Sequence, residues 1–89
     1  MVDELEVKTS AVKRLVREFS FYKDELDALR AALAKATDDS ESKKFNLMVS
    51  ENLAVMRSTR DKIAEYARDL REAGIEIPDD AMQVMATQL

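Results

Sequence analysis

The sequence contains no histidine, no cysteine and no tryptophan. Without cysteine there is no disulfide framework, no thiol nucleophile and no structural zinc site of the cysteine type. Without histidine the most common general base and the usual paired metal ligands are missing, and no glycine-rich phosphate loop or Walker lysine replaces them. We therefore expect no enzymatic activity, no metal site and no cofactor.

Glycine and proline are almost absent, with one residue of each in a chain of 89. These two residues interrupt helices most strongly, whereas the abundant Ala, Leu, Met, Glu, Lys and Arg are good helix formers. A chain of this length forms one domain with a core of modest size. The composition predicts a single all-α domain over residues 1–89 with almost no strand.

Basic residues are also fewer than acidic ones: the chain has 14 basic and 18 acidic residues, and its net charge is -4. An acidic protein is disfavoured as a nonspecific binder of nucleic acid. The opening segment "MVDELEVK" lacks the basic start and apolar run of a signal peptide, and no segment has the ~20 apolar residues of a membrane span. We expect a soluble cytoplasmic protein that binds neither nucleic acid nor membrane.

A first long helix is predicted over residues 9–36, with Thr9 or Ser10 as its N-cap. Its apolar residues are spaced alternately three and four apart, which is the a/d pattern of a coiled coil. These seam residues are Val12, Leu15, Phe19, Tyr22, Leu26, Leu29, Leu33 and Ala36.

A second long helix is predicted over residues 41–73, after the polar turn "TDDSESKK". Asp38 or Ser40 can cap its start, and Gly74 is a stop signal at its end. Asn52 and Thr59 interrupt its seam and are expected to fix the register of the helix pair at some cost in stability. The complete seam is Phe45, Val49, Asn52, Met56, Thr59, Ile63, Tyr66, Leu70 and Ala73.

A short third helix is predicted over residues 78–89, with Met82, Met85 and Leu89 as its apolar stripe. Such a short helix persists only when it docks on the long pair. The segment "FNLMVSENLAVM" is apolar around much of its circumference, so we expect the third helix to cover its off-seam residues, which are Leu47, Met48, Leu53 and Val55. The predicted fold is an antiparallel three-helix bundle of coiled-coil character.

One face of the first helix points away from the seam and carries a local excess of positive charge. Four bases and no acid lie between positions 8 and 17, namely Lys8, Lys13, Arg14 and Arg17. Such a cluster would attract an acidic partner. The alternative is ordinary solvated charge, which is the usual state of surface lysine and arginine.

Phe21 lies one turn after Arg17 on the same outward face. An exposed aromatic ring beside an arginine is typical of the residues that dominate protein interfaces. The alternative is that the third helix or the amino-terminal arm covers Phe21.

The segment "VKTSAVKRLVREFSFYKDEL", from Val7 to Leu26, resembles the tubulin-binding cofactor A family, also called tubulin-specific chaperone A. The similarity begins with a lysine that is followed by small residues. It continues through a series of matching side chains that ends at a tyrosine. These are Lys13, Arg14, Leu15, Val16, Arg17, Glu18 and Tyr22. The polar turn, the pair Lys43 and Lys44, the long second helix and the short third helix also follow the order of that family.

The resemblance implies a three-helix bundle that captures β-tubulin after its release from the cytosolic chaperonin and holds it for other tubulin-folding cofactors. It implies work in the cytoplasm and at the microtubule cytoskeleton, without nucleotide or metal. Tubulin is acidic, so our hypothesis places its binding site on the bases and Phe21, which are Lys8, Lys13, Arg14, Arg17 and Phe21. The alternative function is a coiled-coil assembly module that completes a homo- or hetero-oligomeric bundle, for example as a homodimer.

Overall fold

A computed structural model describes residues 3–89, so the first two residues of the predicted domain lie outside the described part. The chain forms three helices: α1 over Glu4–Lys35, α2 over Asp39–Glu72 and α3 over Asp79–Ala86. No residue from position 3 onward is in a strand. The helices form an elongated bundle that measures 55 × 24 × 15 Å. The predicted all-α fold, with two long helices and a short third one, is confirmed.

The start of α1 differs from the prediction, because the N-cap is Asp3 and neither Thr9 nor Ser10. The Asp3 carboxylate accepts a hydrogen bond of 3.1 Å from the Leu5 backbone amide. Acidic side chains in the first turn suit the positive end of the helix dipole. The Thr9 hydroxyl donates to the Leu5 carbonyl within the helix, so it is not free to cap a helix start.

The turn between the long helices ends at Asp38, which caps α2 as one of the two predicted candidates. Its carboxylate accepts a hydrogen bond of 2.7 Å from the Glu41 backbone amide. The Glu41 carboxylate in turn accepts from the Thr37 backbone amide at 3.3 Å. This reciprocal arrangement is close to a capping box and satisfies two backbone donors at the helix start.

The end of α2 is a Schellman motif centred on Gly74. The Gly74 amide donates to the Arg71 carbonyl and the Ile75 amide to the Leu70 carbonyl, each at 2.9 Å. Gly74 has a φ of 77°, in the left-handed region that favours glycine. Ile75 packs back against the core, so the motif also turns the chain toward α3.

The core lies between the facing seams of α1 and α2. The most deeply buried large side chains are Val12 of α1 and Met56, Ile63 and Leu70 of α2. The two polar seam residues, Asn52 and Thr59, are buried as predicted. Asn52 Oδ1 has no hydrogen-bond donor among the described residues, which is a cost expected of a residue that specifies register.

The short helix α3 packs on one side of the long pair and differs in two ways from the prediction. Its buried residues are Ala81 and Val84, whereas Met82 is 40% exposed. The helix ends at Ala86, and the Arg60 guanidinium donates to the Thr87 carbonyl at 2.9 Å, which holds the following segment on α2.

The expected cover over the apolar part of α2 is absent in the described residues. Leu47 is 60% exposed, Val55 40% and Met48 37%, and Leu53 is half-buried against the core. The reason is geometric: eight residues of α3 span only ~12 Å, and they pack beside Val16, Phe19 and Lys23 of α1, away from Leu47, Met48 and Val55.

Candidate binding surface

The outward face of α1 is exposed where the heptad phase places it. Lys13, Arg14 and Arg17 are exposed, and so is Phe21. Val12 and Phe19 of the seam pack against α2. On a regular helix the outward positions lie on the face opposite the seam, so these four side chains are exposed to solvent. The four residues, called here the outer face, are displayed by a rigid helix of 32 residues.

Phe21 is 65% exposed, so α3 does not cover it. Its ring makes an edge contact with the ring of Tyr22, with centroids 5.6 Å apart and an interplanar angle of 75°. Tyr22 itself packs against the core. The exposed ring of Phe21 therefore contacts a residue that is itself packed against the core.

The bases of the outer face are largely uncompensated. Arg14 Nε lies 3.8 Å from Glu18 Oε1, at a distance and an exposure where an ion pair contributes little. Lys13 and Arg17 make no ion pair within residues 3–89. The outer face keeps a local positive charge on a protein of net charge -4.

Lys8 has a different environment from the other three predicted bases. Its ammonium group lies 2.9 Å from the carboxylate of Asp69 on α2 and 3.4 Å from that of Glu4. The hydrogen bond from Lys8 lowers the pKa of Asp69, and the same bond raises the pKa of Lys8. The structure thus places Lys8 between the helices, as part of an ion pair that joins them.

A shallow groove runs beside the outer face, between the start of α1 and the end of α2. It combines basic, small and apolar side chains, and Val7 in its wall is 53% exposed. Its lining residues are Glu6, Val7, Ser10, Ala11, Arg14, Arg17 and Tyr66. A mixed surface of this kind can bind a protein partner through charge and apolar contact together.

Sequence reasoning did not identify a second groove, between the end of α1 and the start of α2. Its lining residues are Glu25, Leu29, Met48, Glu51, Asn52 and Val55. The signal for it is the run of off-seam apolar residues in α2, which the sequence predicts to contact the third helix. The structure leaves Met48 and Val55 of that run exposed.

The described residues offer neither a metal site nor a membrane span. Between positions 3 and 89, no three histidine, cysteine, aspartate or glutamate side chains are grouped so that they could hold a metal ion. None of the three described helices has a segment long and apolar enough to cross a bilayer.

The sequence matches the model of a known protein family. The model of the family described as tubulin binding cofactor A matches residues 1–85 of the 89. Neither a search of curated proteins nor a search of solved structures found a significant match. Since the family match spans nearly the whole chain and covers α1, α2 and all but the last residue of α3, the protein belongs to the tubulin binding cofactor A family.

Proposed function

We propose that this protein captures β-tubulin after its release from the cytosolic chaperonin and passes it on for heterodimer assembly. Membership of the tubulin binding cofactor A family supports a tubulin-binding role. The observation that supports the location of binding is the outer face of α1, where three exposed bases lie in the turns that precede an exposed aromatic ring.

In this proposal the protein acts by binding alone. Lys13, Arg14 and Arg17 attract the acidic surface of tubulin and orient the encounter. Phe21 then supplies the apolar anchor, since aromatic residues next to arginine contribute strongly to many interfaces. The contact of Phe21 with Tyr22 holds the ring in place before binding, which lowers the entropy cost of ordering it.

Lys8 has a supporting role in the proposed site. Its charge is balanced by Asp69 and Glu4, so it adds little net attraction for an acidic partner. The ion pair instead fixes the start of α1 on α2, and the outer face begins five residues later at Lys13. We assign direct contact with tubulin to Lys13, Arg14, Arg17 and Phe21.

A capture role also requires release. Exposed charges at the rim of an interface mainly change the association rate, and they leave dissociation fast enough for transfer. We propose that the bound tubulin passes to other tubulin-folding cofactors in the cytoplasm, in the supply of subunits to the microtubule cytoskeleton.

The alternative function, a coiled-coil assembly module, would use its seams to bind other chains. Here the seam of α1 packs against the seam of α2 within one chain, and α3 adds to the same core. This packing supports a self-sufficient bundle. A self-sufficient bundle keeps its helicity on dilution, whereas an obligate homodimer or hetero-oligomer loses it.

Native gel analysis of the purified protein with β-tubulin freshly released from chaperonin tests the proposal. We expect a complex that migrates separately from either component, with α-tubulin as the specificity control. A folded protein that forms no complex would overturn the proposed function.

A further inference from the structure

The second groove lies on the side of the bundle away from α3. The α3 residues Gln83 and Val84 share a surface pocket with Lys23 of α1, which marks the side that α3 occupies. Glu25 follows Lys23 by two residues and therefore points about 200° around the helix, at ~100° per residue. The groove called here the acidic groove opens on that far side, between Glu25 and Leu29 of α1 and the stretch from Met48 to Val55 of α2.

The acidic groove has an apolar floor and acidic residues at its edges. Met48 and Val55 are 37% and 40% exposed, and Leu29 between them is half-buried. The ionisable residues of the lining are Glu25 and Glu51, and no lysine or arginine lines this groove within the described chain. An apolar strip is thus bordered by negative charge from each long helix.

Glu25 keeps most of its hydrogen-bonding capacity. The Asn52 amide approaches its Oε2 only at 3.5 Å, which is the outer limit of a hydrogen bond. A carboxylate has about four acceptor positions, so Glu25 can still accept bonds from a guanidinium or ammonium group. Neither Glu25 nor Glu51 makes an ion pair among residues 3–89.

We propose that the acidic groove binds a short amphipathic α-helix of a partner protein, one that carries apolar side chains on one face and lysine or arginine beside them. Two antiparallel helices present a groove into which a third helix inserts its ridge of side chains. The stretch from Met48 to Val55 spans about two turns, which sets the length of the contact. Methionine in the floor adapts to side chains of different shape.

Charge complementarity selects this occupant over a second copy of the chain. A two-fold symmetric dimer through the groove would bring Glu25 and Glu51 of one molecule toward the same acids of the other. Like charges facing each other oppose such a contact, and each chain carries a net charge of -4. The groove uses side chains other than those of the outer face, so this inference stands independently of the tubulin proposal.

A synthetic peptide of about four helical turns, with leucines on one face and lysines beside them, is the probe. Its binding to the full chain is measured by fluorescence anisotropy, next to a matched peptide with glutamates in place of the lysines. We expect the lysine peptide to bind at least about tenfold more tightly. We also expect its chemical-shift perturbations to centre on Leu29, Met48 and Val55.

The double variant Glu25→Lys/Glu51→Lys should reverse the preference between the two peptides. The matched control is Asp24→Lys/Asp61→Lys, which changes the net charge equally at exposed positions outside the groove, one on each long helix. We expect the control to retain the preference for the lysine peptide. Circular dichroism establishes that both variants are folded.

Three results would overturn the proposal. The first is equal binding of the two peptides, or no binding of either at millimolar concentration. The second is a groove variant that behaves as the control does. The third is a concentration-dependent dimer in sedimentation equilibrium that Val55→Lys abolishes, since the groove would then bind a second copy of the chain.

Discussion

The ammonium nitrogen of Lys8 lies 2.9 Å from a carboxylate oxygen of Asp69, across 61 residues of sequence. The pair joins the second turn of α1 to the last turns of α2 at the end of the bundle away from the Asp38 turn. Glu4 adds a second carboxylate to the same ammonium group. Lys8, one of the four bases predicted to lie on the outward face of α1, therefore forms an interhelical ion pair.

The Lys8–Asp69 pair should make stability depend on pH in a defined direction. Asp69 has a lowered pKa in the folded chain, so its contribution is present above the pKa of an unfolded aspartate and is lost as pH falls through the folded value. Lys8 has a raised pKa, so its contribution is present below the pKa of an unfolded lysine and is lost as pH rises through the folded value. The full contribution thus spans about pH 4 to pH 10.

We predict that Asp69→Asn lowers the free energy of unfolding at neutral pH and that the difference from the wild type disappears in strong acid. Urea unfolding followed by circular dichroism at several pH values measures it. Asp61→Asn, at an exposed position without an ion pair within residues 3–89, is the control and should leave stability nearly unchanged. A difference between Asp69→Asn and wild type that persists in strong acid, where the Asp69 carboxylate is protonated, would contradict the prediction.

Ile63 has no exposed surface and lies at the centre of the seam. Its truncation to alanine removes buried methylene and methyl groups and leaves a cavity, at a cost of about 2–5 kcal/mol in the free energy of unfolding. The same kind of truncation at Leu47, which is 60% exposed, should cost well under ~1 kcal/mol. Chemical denaturation of both variants measures the contrast. Similar losses at the two positions would contradict the observed packing of α2.

The seams could be predicted from sequence because apolar spacing of three and four residues specifies one face of a helix, whatever its partner. Asp38 was predictable for a similar reason, since its cap is a local interaction with Glu41. The burial of Val16 and Ala67 was not predictable from the seam pattern. Both lie off the predicted seams, and Val16 shares a pocket with α3, whose docking side the pattern does not specify.

Periodicity likewise predicts which residues of the candidate sites are exposed, but not how the helices dock. Periodicity placed Lys13, Arg14, Arg17 and Phe21 on the outside, and all four are exposed. It could not show that Lys8 reaches Asp69, because that contact depends on the register of two helices and on where α1 begins. The acidic groove was missed because the short α3 leaves that side of the pair open.

The joint variant Arg14→Glu/Arg17→Glu tests the electrostatic part of the tubulin proposal. Both side chains are exposed, so we expect unchanged helicity and a melting temperature close to that of the wild type. Complex formation with β-tubulin should weaken, and the loss should be larger at low salt, where charges act over a longer distance.

Lys43→Glu/Arg57→Glu is the control for that variant, because it changes the net charge equally at exposed bases of α2. Titration of labelled protein with β-tubulin at two salt concentrations measures both variants. If the two double variants lose equal affinity, only the net charge of the protein matters and the outer face has no special role.

Phe21→Ala separates apolar anchoring from charge on the outer face. The ring is 65% exposed and its contact is with Tyr22, so its removal should change the free energy of unfolding by less than about 1 kcal/mol. If the ring is the anchor, affinity for β-tubulin should fall by about tenfold or more, mainly through faster dissociation. Surface plasmon resonance distinguishes this from the slower association expected of the charge reversals. Met82→Ala on α3, at a side chain that is 40% exposed, is the matched control and should leave both rates unchanged. A Phe21→Ala variant with the dissociation rate of the wild type would place the apolar part of tubulin binding elsewhere on the bundle.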